Sequence, residues 1–502
     1  MLAVSAALAL AYPAAAYLSG MRLETKLTQT SDAATMFPTI KVVKHNYQRG
    51  LFSSVQESTY EFSLPNSDKI SAMSLAEDEE ADGATDTPDD DDNEPTDPSR
   101  LIPRPVTKPL QFTVINRIQH GPIPGILGIG AGKIDTDIVL PEEAQADLKK
   151  IFGDKKFLNI RTILNYGGGG TVLADSPAIN TTIGRTQDKL HWKGIKIEAS
   201  FDEGYHKFNY KLQTDGAEIE AKDPKDEALI HHFQIGKIMF SGDNQRAYPK
   251  SFILLGNTAF SVDSINYSSS ANADSGFSLA KLLVSSTTTL KNDLIDMSLK
   301  MGVDQLQANK KDIGAIHYDY SLKRLHAPSV QKFYDTFLKL DNNIQDPQQV
   351  LALQKSMKQL GLDILKHDPV LALDRLSLTG KNGEVKASAD VKIVNFQPED
   401  FENPMLILPK LESKGQISIA EALVQELIEN TQTDPNARSM AMNMFNMQLA
   451  NLETQGYVKR DGKNLQSQLL WSKGKLSING KPYPPSTVAV TEEAAAPGAQ
   501  AK

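Results

Sequence analysis

Alternation of apolar and polar residues restricts the fold of this chain more than any other feature. In TYEFSLP (59–65), Tyr60 and Phe62 alternate with polar residues, and PLQFTVINRIQH (109–120) places further apolar residues at even positions. A period of two puts one set of side chains on one face of a β-strand. Five more segments read as strands, and Gly, Asn and Asp separate them at short intervals: 158–166, 189–200, 205–214, 228–240 and 315–325. This pattern is typical of a β-meander or an extended antiparallel sheet.

Two later stretches have a helical period. Between 327 and 366, and again between 419 and 452, apolar residues recur every three or four positions, as on one face of a helix. The recurring residues are Val330, Phe333, Phe337, Leu340, Leu353, Met357, Leu360, Ile364, Ile419, Leu423 and Leu427. Strands return in 456–484, where Asp-Gly and Asn-Gly are strong turn dipeptides.

A methionine cluster lies in the second helical stretch and comprises Met440, Met442, Met444 and Met447. We interpret these residues as part of a helix that faces the core. The alternative is an adaptable contact for lipid or for a partner helix, because methionine is flexible and polarisable.

These periods predict an α+β fold that is mainly β. We expect an N-terminal transmembrane helix, then an elongated antiparallel sheet with helices packed on it in the C-terminal half. The predicted divisions are an anchor or uncleaved signal at 1–20, a β-rich body at 21–326, a mixed helical and β part at 327–484 and a disordered tail at 485–502. A disordered acidic insertion at 77–98 interrupts the body, because a proline-containing run of one charge sign buries too little apolar surface to fold.

The N-terminal stretch MLAVSAALALAYPAAAYLSG (1–20) contains no charged residue. As a helix, about twenty such residues span roughly 30 Å, the thickness of a bilayer core. Two interpretations export the body: an uncleaved anchor, or a signal peptide cleaved near Ala14-Ala15-Ala16. A third is a buried core helix. No basic residue precedes the stretch, so the distribution of positive charge gives no orientation.

Charge and cysteine content exclude several classes of function. The chain has 53 basic and 62 acidic residues, a formal net charge of −9. Residues 77–98 hold twelve of the acidic residues and no basic one, so the remainder is near neutral. No Lys- or Arg-rich run indicates nucleic-acid binding. Cysteine is absent, which excludes disulfides, thiolate zinc sites, iron–sulfur clusters and a cysteine nucleophile.

Two glycine-rich segments resemble ligand-binding loops, but neither has the residue spacing that such a loop requires. GILGIGAGK (125–133) is followed by Ile134, where a phosphate loop needs Ser or Thr for magnesium. NYGGGG (165–170) is a lone glycine run, which we interpret as a flexible hairpin tip.

Candidate catalytic and metal motifs are equally incomplete. Ser278–Lys281 and Ser329–Lys332 match Ser-x-x-Lys, but the companion Ser-Asp-Asn and Lys-Thr-Gly elements are missing. His231 and His232 are adjacent, so on a strand they face opposite sides. We therefore predict no catalytic, cofactor-binding or metal-binding residue, no cofactor, and a protein that is not an enzyme.

Two short motifs resemble those of the YdgA-like family, a bacterial family of unknown function (domain of unknown function 945). They are VKHNYQRGLFSS (43–54) and IQHGPIP (118–124). The apolar N-terminus and the closing run from Asp461 to Lys481 also agree with that family, whereas the acidic insertion departs from it. The resemblance implies a single-pass or exported envelope protein with a periplasmic body, and it implies no established activity.

The motif positions are read as structural. Gly50 permits a bend, Arg49 donates to carbonyls left unpaired there, Phe52 anchors the bend in the core, and Pro122 ends a strand. The two motifs flank the acidic insertion, so strand pairing is expected to pack them together. The alternative is a small polar binding site built from Tyr47, Arg49 and His120. The full set is Tyr47, Arg49, Gly50, Phe52, Ser53, His120, Gly121 and Pro122.

The expected role is that of a single-pass inner-membrane protein in a bacterial envelope, with its body in the periplasm. We expect a non-enzymatic scaffold, or a protein that holds phospholipid along an apolar sheet face. A first alternative is a partner-binding module in which the sheet or the 419–452 helix docks a second copy or another envelope protein. A second alternative is an envelope hydrolase. The expected partners are the inner membrane, phospholipid, and a homodimer or another envelope protein, with no nucleic acid.

Overall fold

The computed structural model describes residues 16, 19–25, 40–62, 110–121, 131–184, 186–223, 226, 228–249, 251–270, 272–338, 347–431 and 434–483. The acidic insertion, the C-terminal tail, Leu340, Pro122 and all of the anchor except residues 16, 19 and 20 lie outside this part of the chain. The chain forms two compact units. Unit 1 comprises 1–155 and 159–170, and unit 2 comprises 156–158 and 171–502.

Unit 1 is an antiparallel meander in which each strand pairs with the next. Its strands are β1 (Ile40–Arg49), β2 (Ser53–Phe62), β3 (Leu110–His120), β4 (Gly132–Val139) and β5 (Asn159–Leu164). A helical segment at 19–25 precedes them. Helix α1 (Glu142–Phe152) joins β4 to β5, with two glutamates in its first turn and two lysines in its last. This charge order complements the helix dipole.

The first strands of unit 2 form two series of neighbouring paired strands, and both series pair with β14. They are β6 (Gly170–Ser176), β7 (Ile179–Ile183), β8 (Asp188–Trp192), β9 (Ile195–Phe201), β10 (Lys207–Thr214), β11 (Ala217–Lys222), β12 (Ile230–Ile235), β13 (Ile238–Arg246) and β14 (Leu254–Ser269). One series runs β6, β9, β10, β13, and the other runs β7, β8, β11, β12. The two series pair with different halves of β14.

From β14 onward, the sheet of unit 2 continues strand by strand. The following strands are β15 (Asn272–Lys291), β16 (Leu294–Ala308), β17 (Lys311–His326), β18 (Val370–Gly380), β19 (Gly383–Ile393), β20 (Leu411–Ala420), β21 (Lys459–Asp461), β22 (Asn464–Ser472), β23 (Lys475–Ile478) and β24 (Lys481–Tyr483). Each of β14 to β19 pairs antiparallel with its successor, and β20 pairs with β22. Strands β21 and β23 pair with the other edge of β22, and β24 pairs with β23.

The helices of unit 2 follow β17 and β20. They are α2 (Ala327–Leu338), α3 (Pro347–Leu365), α4 (Glu421–Thr431) and α5 (Pro435–Gln455). Short 3₁₀ turns span Glu203–Tyr205, Pro398–Phe401, Pro404–Leu406 and Leu408–Lys410. The start of α2 packs at one end of the sheet, where Ala327 is buried with Ile253 and Ile295. At the opposite end of the strands, Leu423 of α4 is buried near Gly380.

The prediction of a mainly β, antiparallel fold is confirmed. Helices also occur in both stretches with a helical period. The segments 189–200 and 228–240 each contain two strands, because Gly194 (φ 80°) and Gly236 fall in breaks between them. None of the helices within the described residues has the length and apolar character required to cross a membrane.

Candidate functional site

The buried imidazole of His120 holds the N-terminal helical segment against the sheet of unit 1. Its Nδ1 lies 2.9 Å from the carbonyl oxygen of Ala16, and its Nε2 lies 3.1 Å from the hydroxyl of Ser54. A carbonyl oxygen only accepts, so Nδ1 donates, and Nε2 of the neutral ring then accepts from Ser54. The side chain is 2% exposed. Both ring nitrogens therefore have partners in a site shielded from water.

Gly20 permits the close approach of this segment to His120. A Cβ on Gly20 would lie 2.7 Å from Cε1 of the imidazole, well inside ordinary van der Waals contact. One turn later, Leu23 is buried with Ile118 and Ile134. The helix is thus held by a buried hydrogen bond and by an apolar contact. We call the residues at this attachment the helix seat: Ala16, Gly20, Leu23, Glu24, Tyr47, Arg49, Ser54, Ile118, His120 and Ile134.

Arg49 completes the seat with an ion pair. Its guanidinium lies 2.8 Å from the carboxylate of Glu24, on the helical segment. The prediction that Arg49 serves carbonyls at the bend missed this partner. Both side chains are partly exposed, so the pair contributes modestly to stability and mainly fixes the position of the helix.

Gly50 and Ser53 close the turn between β1 and β2. The amide of Gly50 donates to the carbonyl oxygen of Ser53 at 2.8 Å, and a Cβ on Gly50 would meet that oxygen at 2.8 Å. The prediction that Phe52 anchors the bend in the core was wrong, since Phe52 is 45% exposed and Leu51 is 47% exposed. The turn projects both side chains outward because it lies beyond the last paired residues of the hairpin.

The two motifs lie side by side through the pairing of β2 with β3. Ser54 is opposite Ile118, and the amide of His120 donates to the carbonyl oxygen of Phe52 at 3.0 Å. Gly121 is buried with φ 128°, a backbone conformation that favours glycine. Pro122 lies outside the described residues.

The predicted polar site of Tyr47, Arg49 and His120 is brought together at the seat, but the chain itself occupies it. Glu24 forms an ion pair with Arg49, and the carbonyl oxygen of Ala16 accepts a hydrogen bond from His120. The Ser54–His120 pair has a spacing suited to nucleophile activation. Ser54 is only 3% exposed, however, and His120 is 2% exposed, so a substrate has no access while the helix is seated.

Tyr47 contributes its ring rather than its hydroxyl. The ring packs on Leu23, Ile118 and Ile134, and the hydroxyl has no hydrogen-bond partner within the described residues. Ser54 lies nearby and donates to His120, and its effect on the phenol is smaller than that of burial. Burial raises the pKa of the Tyr47 phenol, because it disfavours the phenolate.

A pair of substitutions at Tyr47 separates these two contributions. Tyr47→Phe should change stability by less than about 0.5 kcal/mol, because no hydrogen bond is lost. Tyr47→Ala should cost about 3 kcal/mol through the lost ring. Hydrogen–deuterium exchange of residues 19–25 measures both effects. A large loss of protection in the phenylalanine variant would show that the hydroxyl has a partner of its own.

The other candidate motifs do not converge on a site. Lys281 lies 3.5 Å from Asp263 in an exposed ion pair, the hydroxyl of Ser329 bonds to His326, and Nδ1 of His231 lies 3.0 Å from the hydroxyl of Tyr267. In the part of the chain that the structure describes, no group of three His, Cys, Asp or Glu side chains is placed to hold a metal ion.

Unit 2 presents one face of its sheet as a continuous apolar surface. Register pairing places one row of side chains across nine strands, from β10 to β20. The row consists of Leu212, Phe240, Phe260, Val284, Met301, Tyr318, Leu376, Ala387 and Ile417. The next row in register is polar and faces the other way: Lys211, Ser241, Ala259, Ser285, Lys300, Asp319 and Arg375. We call the first surface the apolar face.

Large side chains of the apolar face remain open to solvent. Phe240 is 36% exposed, Tyr318 41%, Leu376 43% and Ile417 38%, and Leu371, on the same face of β18, is 52% exposed. The face is therefore open to solvent at these positions, whereas Val262 and Val303 on the same face are buried. Within the described residues, α2 closes one end of the face at Ile295 and α4 closes the other at Gly380. The sequence signal for this surface is the alternation in β17 to β20, but the strand register was needed to assemble it.

Three of the four residues of the methionine cluster are exposed and Met442 is partly buried, which corrects the prediction that the cluster faces the core. Met440 is 66% exposed, Met444 46% and Met447 68%. These residues recur at intervals of four and three along α5, so they form one stripe on the helix. Leu449 is the buried residue of α5 within the described part. Apolar residues surround this helix on several sides, which removed the periodic signal that would have identified its inner face.

The opposite, polar face of unit 2 contains a cavity of about 800 Å³. It lies over β17 to β23. Its lining combines apolar residues, among them Val370, Leu469 and Leu470, with the polar residues Lys323, Asp374, Asp390, Lys414, Gln416 and Gln468. Lys323 and Asp374 are 3.7 Å apart. Mixed charges of this kind neutralise one another, so the cavity has no clear preference for a cation or an anion.

Comparisons with known proteins give a family and no function. Neither the curated proteins nor the solved structures include a match. A family model described as "Bacterial protein of unknown function (DUF945)" matches residues 1–486. Because the match covers nearly the whole chain, the protein belongs to this family of bacterial proteins of unknown function.

Proposed function

We propose that this protein is a non-enzymatic envelope protein, anchored in the bacterial inner membrane by residues 1–20, that holds phospholipid acyl chains on the apolar face of unit 2. The observation that carries the proposal is the exposure of that face, where Leu376 is 43% exposed and Leu371 is 52% exposed. Soluble proteins rarely leave such a contiguous surface uncovered unless it binds something.

The energetics favour an apolar ligand. Covering roughly 300 Å² of apolar surface is worth about 7 kcal/mol, at about 25 cal/mol per Å². The entropy lost on binding reduces this gain, but acyl chains bring little polar surface to desolvate. The row of side chains on the other side of the sheet is mainly polar, so the apolar face is the better surface for acyl chains.

Three observations support a location in the envelope with the body in the periplasm. Residues 1–20 carry no charge, the family is bacterial, and the helix seat fixes the chain that leads out of that segment. A chain without cysteine also avoids mispaired disulfides in an oxidising compartment.

The alternative of a partner-binding module has an observation of its own. The exposed stripe of Met440, Met444 and Met447 on α5 is an adaptable surface of the kind that docks a partner helix. A second copy of the chain, or another envelope protein, would bury it. The further alternative, an envelope hydrolase, finds no open nucleophile at the buried Ser54–His120 pair.

The test is native mass spectrometry with lipid extraction on the detergent-solubilised, full-length protein. We expect stoichiometric phospholipid on the parent protein, and at least tenfold less on the double variant Leu371→Asp with Leu376→Asp. The matched control is Phe277→Asp with Leu283→Asp. These two side chains are 40% and 48% exposed but belong, by strand register, to the polar face, so their replacement should leave the lipid in place.

Two results would count against lipid holding. Equal lipid content in both double variants would show that the lipid is adventitious or lies elsewhere. A lipid-free dimer, or a co-purified protein, would favour the partner-binding alternative. Circular dichroism of each variant checks that loss of lipid does not reflect loss of the fold.

A further inference from the structure

Three exposed apolar side chains lie at one end of the unit 1 meander. Leu51 and Phe52, in the β1–β2 turn, are 47% and 45% exposed, and Tyr166, just past β5, is 55% exposed. The start of β2 and the end of β5 are at the same end because the intervening strands are antiparallel. Three strand spacings separate β2 from β5, about 14 Å. We call this set of three residues the rim.

The N-terminal chain enters unit 1 at the rim. The carbonyl oxygen of Ala16 accepts from His120, the last residue of β3, whose amide donates to the carbonyl oxygen of Phe52. Leu23 packs on Ile118 and Ile134 and lies beside Gly132, which is opposite His120 in register. Ala16 therefore lies at the rim end of the meander, and the residues that precede it carry no charge.

Charge is absent from the rim segments and present at the other end of the meander. Residues 50–56 and 162–174, which contain the rim, have no charged residue. The opposite end bears α1, with Glu142, Glu143, Lys149 and Lys150 in its terminal turns. The charges that flank the rim, Arg49 and Lys133, are paired with Glu24 and Asp135. Uncharged rim segments beside an uncharged entering chain fit the interface of a bilayer, where aromatic and apolar side chains anchor a protein.

We infer that the rim inserts Leu51, Phe52 and Tyr166 into the headgroup region of the bilayer that residues 1–20 enter. The inference rests on the proposed membrane anchoring and adds an orientation to it. Unit 1 then rests against the membrane through the rim, with α1 directed away. A protein partner at the rim would give no reason for the uncharged chain to enter at this end.

The test places one tryptophan at each end of unit 1. Full-length Phe52→Trp and, as control, Val139→Trp are reconstituted into vesicles of phosphatidylethanolamine and phosphatidylglycerol that contain lipid with brominated acyl chains. Val139 is 37% exposed and ends β4 at the α1 end. The fluorescence of Trp192 and Trp471 in the parent protein is subtracted. We expect quenching of the added tryptophan at position 52 to be at least threefold stronger than at position 139.

Each other outcome overturns the inference in a different way. Equal quenching at the two positions, in protein that floats with the vesicles, would leave the anchor intact and refute the orientation. Protein that does not float with the vesicles would refute the proposed anchoring and the rim contact together. Phe52→Trp keeps an aromatic residue at an exposed turn, so the variant is expected to fold.

Discussion

Leucine in place of Gly20 should release residues 19–25 from the sheet of unit 1. Its Cβ would lie 2.7 Å from the imidazole of His120, and the ring is fixed by hydrogen bonds at both nitrogens. Detachment leaves a buried polar group unpaired, which costs about 2 kcal/mol of free energy. It also exposes Leu23, which costs about 2 kcal/mol. Together these losses amount to about 4 kcal/mol, so amide protection of residues 19–25 should fall roughly a thousandfold.

Gly167→Leu is the matched control for this experiment. The nearest atom to a Cβ on Gly167 is the side-chain oxygen of Asn165 at 3.6 Å, so the larger residue meets no fixed group. Hydrogen–deuterium exchange of the full-length protein should show parent-like protection of residues 19–25 in this variant. Parent-like protection in the Gly20 variant would mean that the segment is held without close contact to His120.

Alanine in place of Ile295 should be the most damaging single change at the end of the apolar face. Ile295 is 1% exposed and packs with Ile253 and Ala327, the first residue of α2. The substitution removes three carbons from a closed cluster and leaves a cavity. It should lower the free energy of unfolding by about 3 to 4 kcal/mol. Exchange protection of α2 and of β16 is the readout, and both should fall.

Met297→Ala is the control for Ile295, since it lies two residues away on the same strand and the same face. Met297 is 45% exposed, so its truncation should cost less than about 1 kcal/mol. If both variants lose equal protection, the cluster is not what attaches α2 to the sheet. A loss confined to Ile295→Ala would establish that the end of the apolar face is closed by packing.

The local fold could be predicted from sequence, but its assembly could not. Strands such as β3 and β10 follow from alternation, and α2 to α4 follow from a helical period. Pairing depends on contacts distant in sequence. The bond between Ala16 and His120 joins residues 104 positions apart, and the apolar row collects one residue from each of nine strands. No local pattern specifies such a register.

The errors at particular residues have physical causes. Phe52 is apolar and follows Leu51, which favours a core position, but both lie in a tight turn and remain about half exposed. The ion-pair partner of Arg49, Glu24, is distant in sequence, so no local pattern reveals it. The long strands β14 and β15 are rich in Ser and Thr, so their apolar rows are diluted and alternation in the sequence is weak.

The pairing of β2 with β3 has a consequence for how the chain can change in length. Phe62 and Leu110 are opposite each other in register, so the chain that includes the acidic insertion at 77–98 departs and returns at one point of the sheet. The entropy of closing a loop rises only logarithmically, and doubling its length costs about 0.6 kcal/mol. This position therefore tolerates gain and loss of residues over evolutionary time at little expense to the strands, and the insertion can be acquired or discarded as a unit.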